Sequence, residues 1–223
     1  MCIRAVIFDL DNTLIRSTIN FKELKKRIID FLVKSGVEGS LLNESMLNFE
    51  VINKAVEDLR CKKVPEERIK EVVNEVIAML NEAEIRSLDR AELMDGALEI
   101  LASLKTLGFK IGIVTNGCRM YANKVIEMFS LGKYVDTVIT RDEVASPKPN
   151  PRHLLKALEV LGVRAEESVF VGDHLIDALC AKGSGVRFIL FKSSERKIED
   201  SEKVASAVIN DLSKLVSLIL HGF

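Results

Sequence analysis

Residues 5–14 read Ala5-Val6-Ile7-Phe8-Asp9-Leu10-Asp11-Asn12-Thr13-Leu14, a short apolar run that ends in two aspartates one residue apart. A run of this length with no polar alternation predicts a strand buried on both faces. Side chains alternate along a strand, so Asp9 and Asp11 leave its C-terminal end on the same side. Two carboxylates in so small a space repel unless a cation lies between them. In open parallel sheets ligands bind beyond the carboxyl ends of the strands, which points to a bound metal there. A pair of turn or helix-capping aspartates is the alternative reading of the same residues.

Beyond this stretch the periodicity changes twice. Phe21, Leu24, Ile28 and Phe31-Leu32 recur at helical spacing and stop at Ser35-Gly36. A second helical segment is predicted from about Asn43 to Arg60. A third stripe runs through Ile69, Val72-Val73, Val76-Ile77 and Leu80, with Pro65 placed as its first helical residue. Residues 17–91 therefore read as an all-helical insertion. From Asp95-Gly96 helices and strands alternate. The predicted strands are Lys110–Thr115, Asp136–Thr140, Ser168–Gly172 and Arg187–Phe191, the last clear one. The helices between them cover Ala97–Leu107, Met120–Phe129, Arg152–Leu161 and Leu175–Lys182, and a helix over 211–220 closes the chain. Such alternation predicts right-handed crossovers and a parallel sheet covered on both faces.

Three more loops follow strands and open on the edge that carries Asp9 and Asp11. The first, Thr115-Asn116-Gly117, offers a hydroxyl, an amide and backbone N–H groups of the kind that surround a phosphate oxygen. The second, Ser146-Pro147-Lys148-Pro149-Asn150-Pro151, contains three of the chain's four prolines and fixes the backbone around Lys148. Asn150 suits an N-cap and Pro151 a first helical position, so the loop aims one ammonium at a fixed anion. In the third, a buried strand ends in Gly172-Asp173, and Asp177 follows four residues later. A helix starting here would put Asp173 and Asp177 on one face at its positive end.

Read together, these residues make the chain resemble the haloacid dehalogenase-like hydrolase superfamily. Its first motif stands as Asp9-Leu10-Asp11-Asn12-Thr13, its second-motif threonine as Thr115, its third-motif lysine as Lys148 and its fourth-motif acids as Asp173 and Asp177. The resemblance implies an α/β fold with a Rossmann-like parallel sheet core over residues 1–16 and 92–223. It also implies a helical cap domain of the C1 type over 17–91. The implied chemistry is that of a phosphatase for a small phosphorylated metabolite. Asp9 is then the nucleophile that becomes an aspartyl-phosphate, and Asp11 the acid and base. Mg2+ is held by Asp9, the Asp11 carbonyl and Asp173, with Asp177 either a ligand through water or an anchor for Lys148. Thr115, Asn116 and Lys148 bind the phosphoryl group. Asn12 stands where glycine is frequent and His174 where a small polar residue is common.

Composition narrows the partners. A net charge of -1 with 29% charged residues gives no reason to expect nucleic acid or an anionic membrane surface. No apolar stretch approaches the length of a membrane span, and the N-terminus runs straight into the first strand. The four cysteines are scattered, as in reduced cytoplasmic proteins, and form neither a zinc nor a disulfide pattern. Asp11 argues against a dehalogenase, since displacing halide needs no proton donor. A phosphomutase or a pyrophosphatase would keep the same core residues, whereas a non-catalytic phosphate-binding module would not need the full set. Phosphoglycolate, a nucleotide and a sugar phosphate all suit this site. Arg16, Lys22, Lys25, Lys26 and Arg27 are candidate specificity contacts, most of them expected to be solvated. His153 and His221 read as structural or exposed, and Cys118 as packing.

Overall fold

The computed structural model describes residues 2–192 and 199–222 and divides into two compact units, one of residues up to Ser17 and from Arg90 onward, the other of Thr18–Asp89. In chain order the first unit begins with β1 (Ala5–Phe8) and β2 (Ile15–Arg16). The helical unit then supplies α1 (Phe21–Lys34), α2 (Asn48–Cys61) and α3 (Glu66–Ser87). The first unit resumes with β3 (Glu92–Leu93), α4 (Ala97–Thr106), β4 (Lys110–Val114), α5 (Arg119–Met128) and β5 (Thr137–Ile139). It continues through α6 (Pro151–Leu161), β6 (Ser168–Gly172), α7 (Leu175–Ser184) and β7 (Arg187–Phe191). It ends with α8 (Glu199–Glu202), β8 (Ala207–Ile209) and α9 (Lys214–His221).

Six of the strands form one sheet in the order β5-β4-β1-β6-β7-β8, every pair parallel. The fold class is α/β. β1 lies at the centre, with Ile7 opposite Gly112 on one side and Phe170 on the other, and every residue of it is fully buried. That accounts for its unbroken apolar run: helices cover both faces, so neither face can be polar. Each Val, Ile or Phe removed from water there contributes roughly 1.5–3 kcal/mol of transfer free energy.

The helical unit packs one stripe from each helix: Leu24, Ile28 and Leu32 of α1, Val51, Ala55 and Leu59 of α2, and Ile69, Val72, Val76 and Leu80 of α3. Two expected helix starts shift. α2 begins at Asn48 and not near Asn43, because the Asn43 side chain accepts from the Ser45 amide at 3.0 Å and holds a turn. The Leu47 amide is then captured by the Glu50 carboxylate at 2.8 Å. Pro65 sits one position before α3 with an extended ψ of 140°, and the helix starts at Glu66. Lys25 is a further departure: it is buried, and its ammonium donates to the Met46 carbonyl. It therefore serves the interior of this unit instead of solvent, and burial lowers its pKa.

The sheet unit also holds elements that periodicity did not predict. β8 adds a sixth strand beyond β7, and β2 pairs with β3 in a small antiparallel ribbon. α9 starts at Lys214, later than expected, because the Asp211 carboxylate accepts from the Ser213 amide at 2.8 Å and makes a turn first. Among the described residues no helix is long and apolar enough to cross a membrane.

Candidate active site

β1 stops at Phe8, and the chain then makes a tight turn in which Leu14 and Ile15 both donate to the Leu10 carbonyl at 3.0 Å. Asn12 reaches the left-handed region there, at φ 59°. Glycine does this without strain and asparagine with little, so Asn12 fills the position its resemblance pattern assigns to glycine. The Asp9 amide still bonds to the Val171 carbonyl of β6 at 2.8 Å, which fixes its backbone in register with the sheet.

The Asp9 carboxylate is buried and ion-paired through Oδ1 with the Lys148 ammonium. The same ammonium lies 2.8 Å from Asp177 Oδ1 and 5.5 Å from the centre of the Phe170 ring. Asp9, Asp173 and Asp177 are all buried, and each offers a carboxylate oxygen within 4.8 Å of the others. Three carboxylates thus lie together, and two of them, Asp9 and Asp177, pair with the Lys148 ammonium. Burial is the main cause that raises the Asp9 pKa well above its ordinary value; Asp177, Asp173 and Asp11 add to it, and Lys148 opposes it. Burial works against the Lys148 charge, but Asp177 and Asp9 outweigh it and hold that pKa above the usual lysine value. A pocket with hard oxygen donors and an excess of negative charge fits a small divalent cation of the Mg2+ type.

Lys148 is held at its backbone as well. Its amide donates to His153 Nδ1 at 3.1 Å, and its carbonyl accepts from Asn116 Nδ2 at 2.9 Å. Asn150 caps α6 by accepting from the Arg152 amide at 3.0 Å, and Pro151 is the first helical residue. His153 is completely buried, its Nδ1 is an acceptor, and its Nε2–H points at the Ile139 and Thr140 carbonyls without a well-shaped hydrogen bond. Burial first, and the Lys148 charge second, lower its pKa to about 3, so the ring is neutral.

The loop after β4 places Thr115 buried and Asn116 beside the lysine loop. Thr115 Oγ1 accepts from the Gly117 amide at 2.9 Å, which shapes this turn around its own hydroxyl. After β6, Asp173 does not share a helical face with Asp177. α7 starts only at Leu175, with His174 as its N-cap accepting from the Ile176 amide at 3.3 Å. Asp173 therefore lies in the turn before the helix, and Asp177 in its first turn, where Oδ2 accepts from the His174 amide at 3.1 Å. Gly172 permits this approach: a Cβ there would lie 2.7 Å from the Asp177 carboxyl.

The described residues thus bring Asp9, Lys148, Asp173 and Asp177 into one cluster, with Asn116 bonded to its lysine loop. Asp11 is half-buried and accepts a hydrogen bond from Tyr121 Oη at 2.7 Å. Sequence reasoning passed over Tyr121, read His153 only as structural or exposed, and noted Gly172 only as the end of its strand. The spacing of five residues between Lys148 and His153 was the available signal for their bond.

This fold and arrangement define a class. The sequence profile of the haloacid dehalogenase-like hydrolases matches residues 6–191, and the chain belongs to that family. Pyrophosphatase PpaX of Halalkalibacterium halodurans is 33% identical over 187 residues, which span 84% of this chain and 82% of the relative. Pyrophosphatase PpaX of Bacillus cereus is 29% identical over an equal span. Among solved structures, a subfamily IA hydrolase of the same superfamily from Geobacter sulfurreducens superposes with a TM-score of 0.60 at 25% identity, covering 97% of this chain and 96% of that one. A phosphatase of the superfamily from Thermococcus onnurineus shares the fold, with a TM-score of 0.65 at 24% identity and coverage of 97% and 98%.

Proposed function

We propose that this enzyme is a Mg2+-dependent phosphatase that works through a phosphorylated Asp9. The observation that carries the reading is the buried cluster of Asp9, Asp173 and Asp177 against the single ammonium of Lys148. Asp9, Asp173 and the Asp11 carbonyl would hold the metal, which, when bound, offsets carboxylate and phosphoryl charge. Asp9 attacks phosphorus in line and the bond to the leaving oxygen breaks. Asp11 gives that oxygen a proton and later takes one from the water that hydrolyses the acyl phosphate. Thr115 Oγ1 and the Asn116 backbone amide hold phosphoryl oxygens, and Lys148 stabilises the charge they share with Asp9. Both Asp177 oxygens are engaged, one by Lys148 and one by the His174 amide, which favours an anchoring role over metal ligation. The helical unit is read as the cap that selects the substrate.

The substrate class is a small phosphorylated metabolite. Pyrophosphate is a second reading, favoured by the name of the 33% identical relative. The test is turnover of p-nitrophenyl phosphate with Mg2+, together with trapping of phosphorylated protein in a single turnover. Asp9→Asn should lose both while keeping its fold, and near-normal turnover by that variant overturns the mechanism. A panel of pyrophosphate, phosphoglycolate, a nucleoside monophosphate and a sugar phosphate then separates the substrates.

A further inference from the structure

The turn after β1 fixes the backbone of Asp11 but not its side chain. Asn12 donates to the Ile15 carbonyl at 2.6 Å, and Leu14 and Ile15 donate to Leu10, so the main chain from Leu10 to Ile15 is closed on itself. What remains to be set is the direction of the Asp11 carboxyl. A residue 110 positions away supplies that: Tyr121, in the first turn of α5, donates its phenolic hydrogen to Asp11 Oδ1 at 2.7 Å. Tyr121 is completely buried. Its ring is seated because residue 117 is glycine, where a Cβ would lie 2.8 Å from the ring carbon Cδ1. Its backbone is tied as well, the amide donating to the Cys118 sulfur at 3.5 Å. The hydroxyl therefore approaches Asp11 from a rigid support.

We propose that Tyr121 is a positioning residue for Asp11, fixing the direction from which its carboxyl exchanges protons with the substrate. This rests on the reading of Asp11 as acid and base. In the first half-reaction the bond from phosphorus to the leaving oxygen breaks as Asp9 bonds to phosphorus, and the Asp11 carboxyl proton passes to the leaving oxygen. In the second, water bonds to phosphorus, the bond from phosphorus to Asp9 breaks, and a water proton returns to the Asp11 carboxylate. Tyr121 keeps its own proton throughout. Its contribution is orientation, which in proton transfer decides whether donor and acceptor meet at hydrogen-bonding distance.

Tyr121→Phe removes one oxygen and keeps the buried ring. The readout is kcat/KM, which reports the steps through formation of the phosphorylated enzyme, across esters of p-nitrophenol, phenol and a simple alcohol. The alkyl ester should lose roughly ten- to a hundred-fold, part of what a general acid supplies, while p-nitrophenyl phosphate stays within about three-fold. Plotted against leaving-group basicity, the variant's line should be steeper than the wild-type line. Asp11→Asn should steepen it further, and Tyr121→Phe in the Asp11→Asn background should add nothing. If Tyr121→Phe lowers all three substrates equally, or none, Tyr121 only fills space and the proposal is overturned. If Asp11→Asn itself leaves the slope unchanged, the acid–base reading of Asp11 fails first, and the two failures are told apart. Thermal unfolding of the variant checks that the ring still packs.

Discussion

Replacing His153 with glutamine tests the tie that holds the lysine loop, and the test is one of pH. In the folded chain the His153 ring accepts the Lys148 amide hydrogen at Nδ1, and burial beside an ammonium lowers its pKa from 6.5 to about 3. A group whose folded pKa is depressed favours the folded state above its unfolded pKa. That advantage is lost as pH falls through the unfolded value towards the folded one. With these two values, the His153 contribution shrinks by about 2 kcal/mol between about pH 8 and about pH 5, and by at most about 5 kcal/mol at lower pH. Asp9 acts in the opposite sense, since its raised pKa makes protonation stabilise the folded state, so wild-type stability alone does not isolate the histidine. The difference between wild type and His153→Gln does, because both carry Asp9. Glutamine can still accept the Lys148 amide hydrogen and does not titrate. The measurement is urea unfolding of both proteins, in chelator, at several pH values. The stability of His153→Gln relative to wild type should rise by about 2 kcal/mol on going from about pH 8 to about pH 5. A difference that stays constant with pH would refute the claim that this ring is a neutral, buried acceptor.

Two further outcomes follow from the same cluster. Lys148→Met leaves Asp9 and Asp177 without their cation, so in chelator the variant should lose roughly 3–5 kcal/mol near neutral pH and recover stability as pH falls and carboxylates protonate. Thermal unfolding at two pH values checks this, and a loss independent of pH would count against it. Gly172→Ala puts a Cβ 2.7 Å from the Asp177 carboxyl, so urea unfolding should show a loss of about 1–3 kcal/mol, with lowered turnover as the Asp177–Lys148 pair shifts. Wild-type stability in that variant would mean Asp177 does not approach the strand so closely.

What the sequence made legible, and what it did not, divides along one physical line. β1, β6 and β7 were readable because a strand buried on both faces must be apolar throughout, whatever surrounds it. Asn150 and Pro151 were readable because capping chemistry is local. β8 was not: three residues at a sheet edge, with Val208 exposed, leave no pattern to separate from a loop. Lys25 was read by its charge, yet its burial depends on a carbonyl 21 residues away. Tyr121 sat inside an expected helix and showed nothing, because its partner Asp11 lies 110 residues earlier. The site residues that local motifs name were visible in the chain. Tyr121, which holds one of them, acts across strand crossovers, where spacing in sequence carries no signal, whereas His153 and Gly172 lie five residues from Lys148 and Asp177 and act through contacts that only the folded loop reveals.

The lysine loop shows why such support matters to the proposed chemistry. An ammonium paired with two carboxylates of a buried three-carboxylate cluster gains most when its position is fixed, since charge interactions in a poorly solvated site vary steeply with distance. Lys148 is constrained at every polar point: His153 at its amide, Asn116 at its carbonyl, and Asp9 and Asp177 at its ammonium, with Phe170 beside the charge. Those partners come from the loops after β1 and β4, from strand β6 and from helices α6 and α7, so the segments that build the site are joined through one residue. The sheet fixes where each loop begins, and Lys148 fixes where they meet. An arrangement of this kind suits a reaction in which the charge on phosphoryl oxygens changes while the groups around them stay still, because donors already in place need no reorganisation during the step.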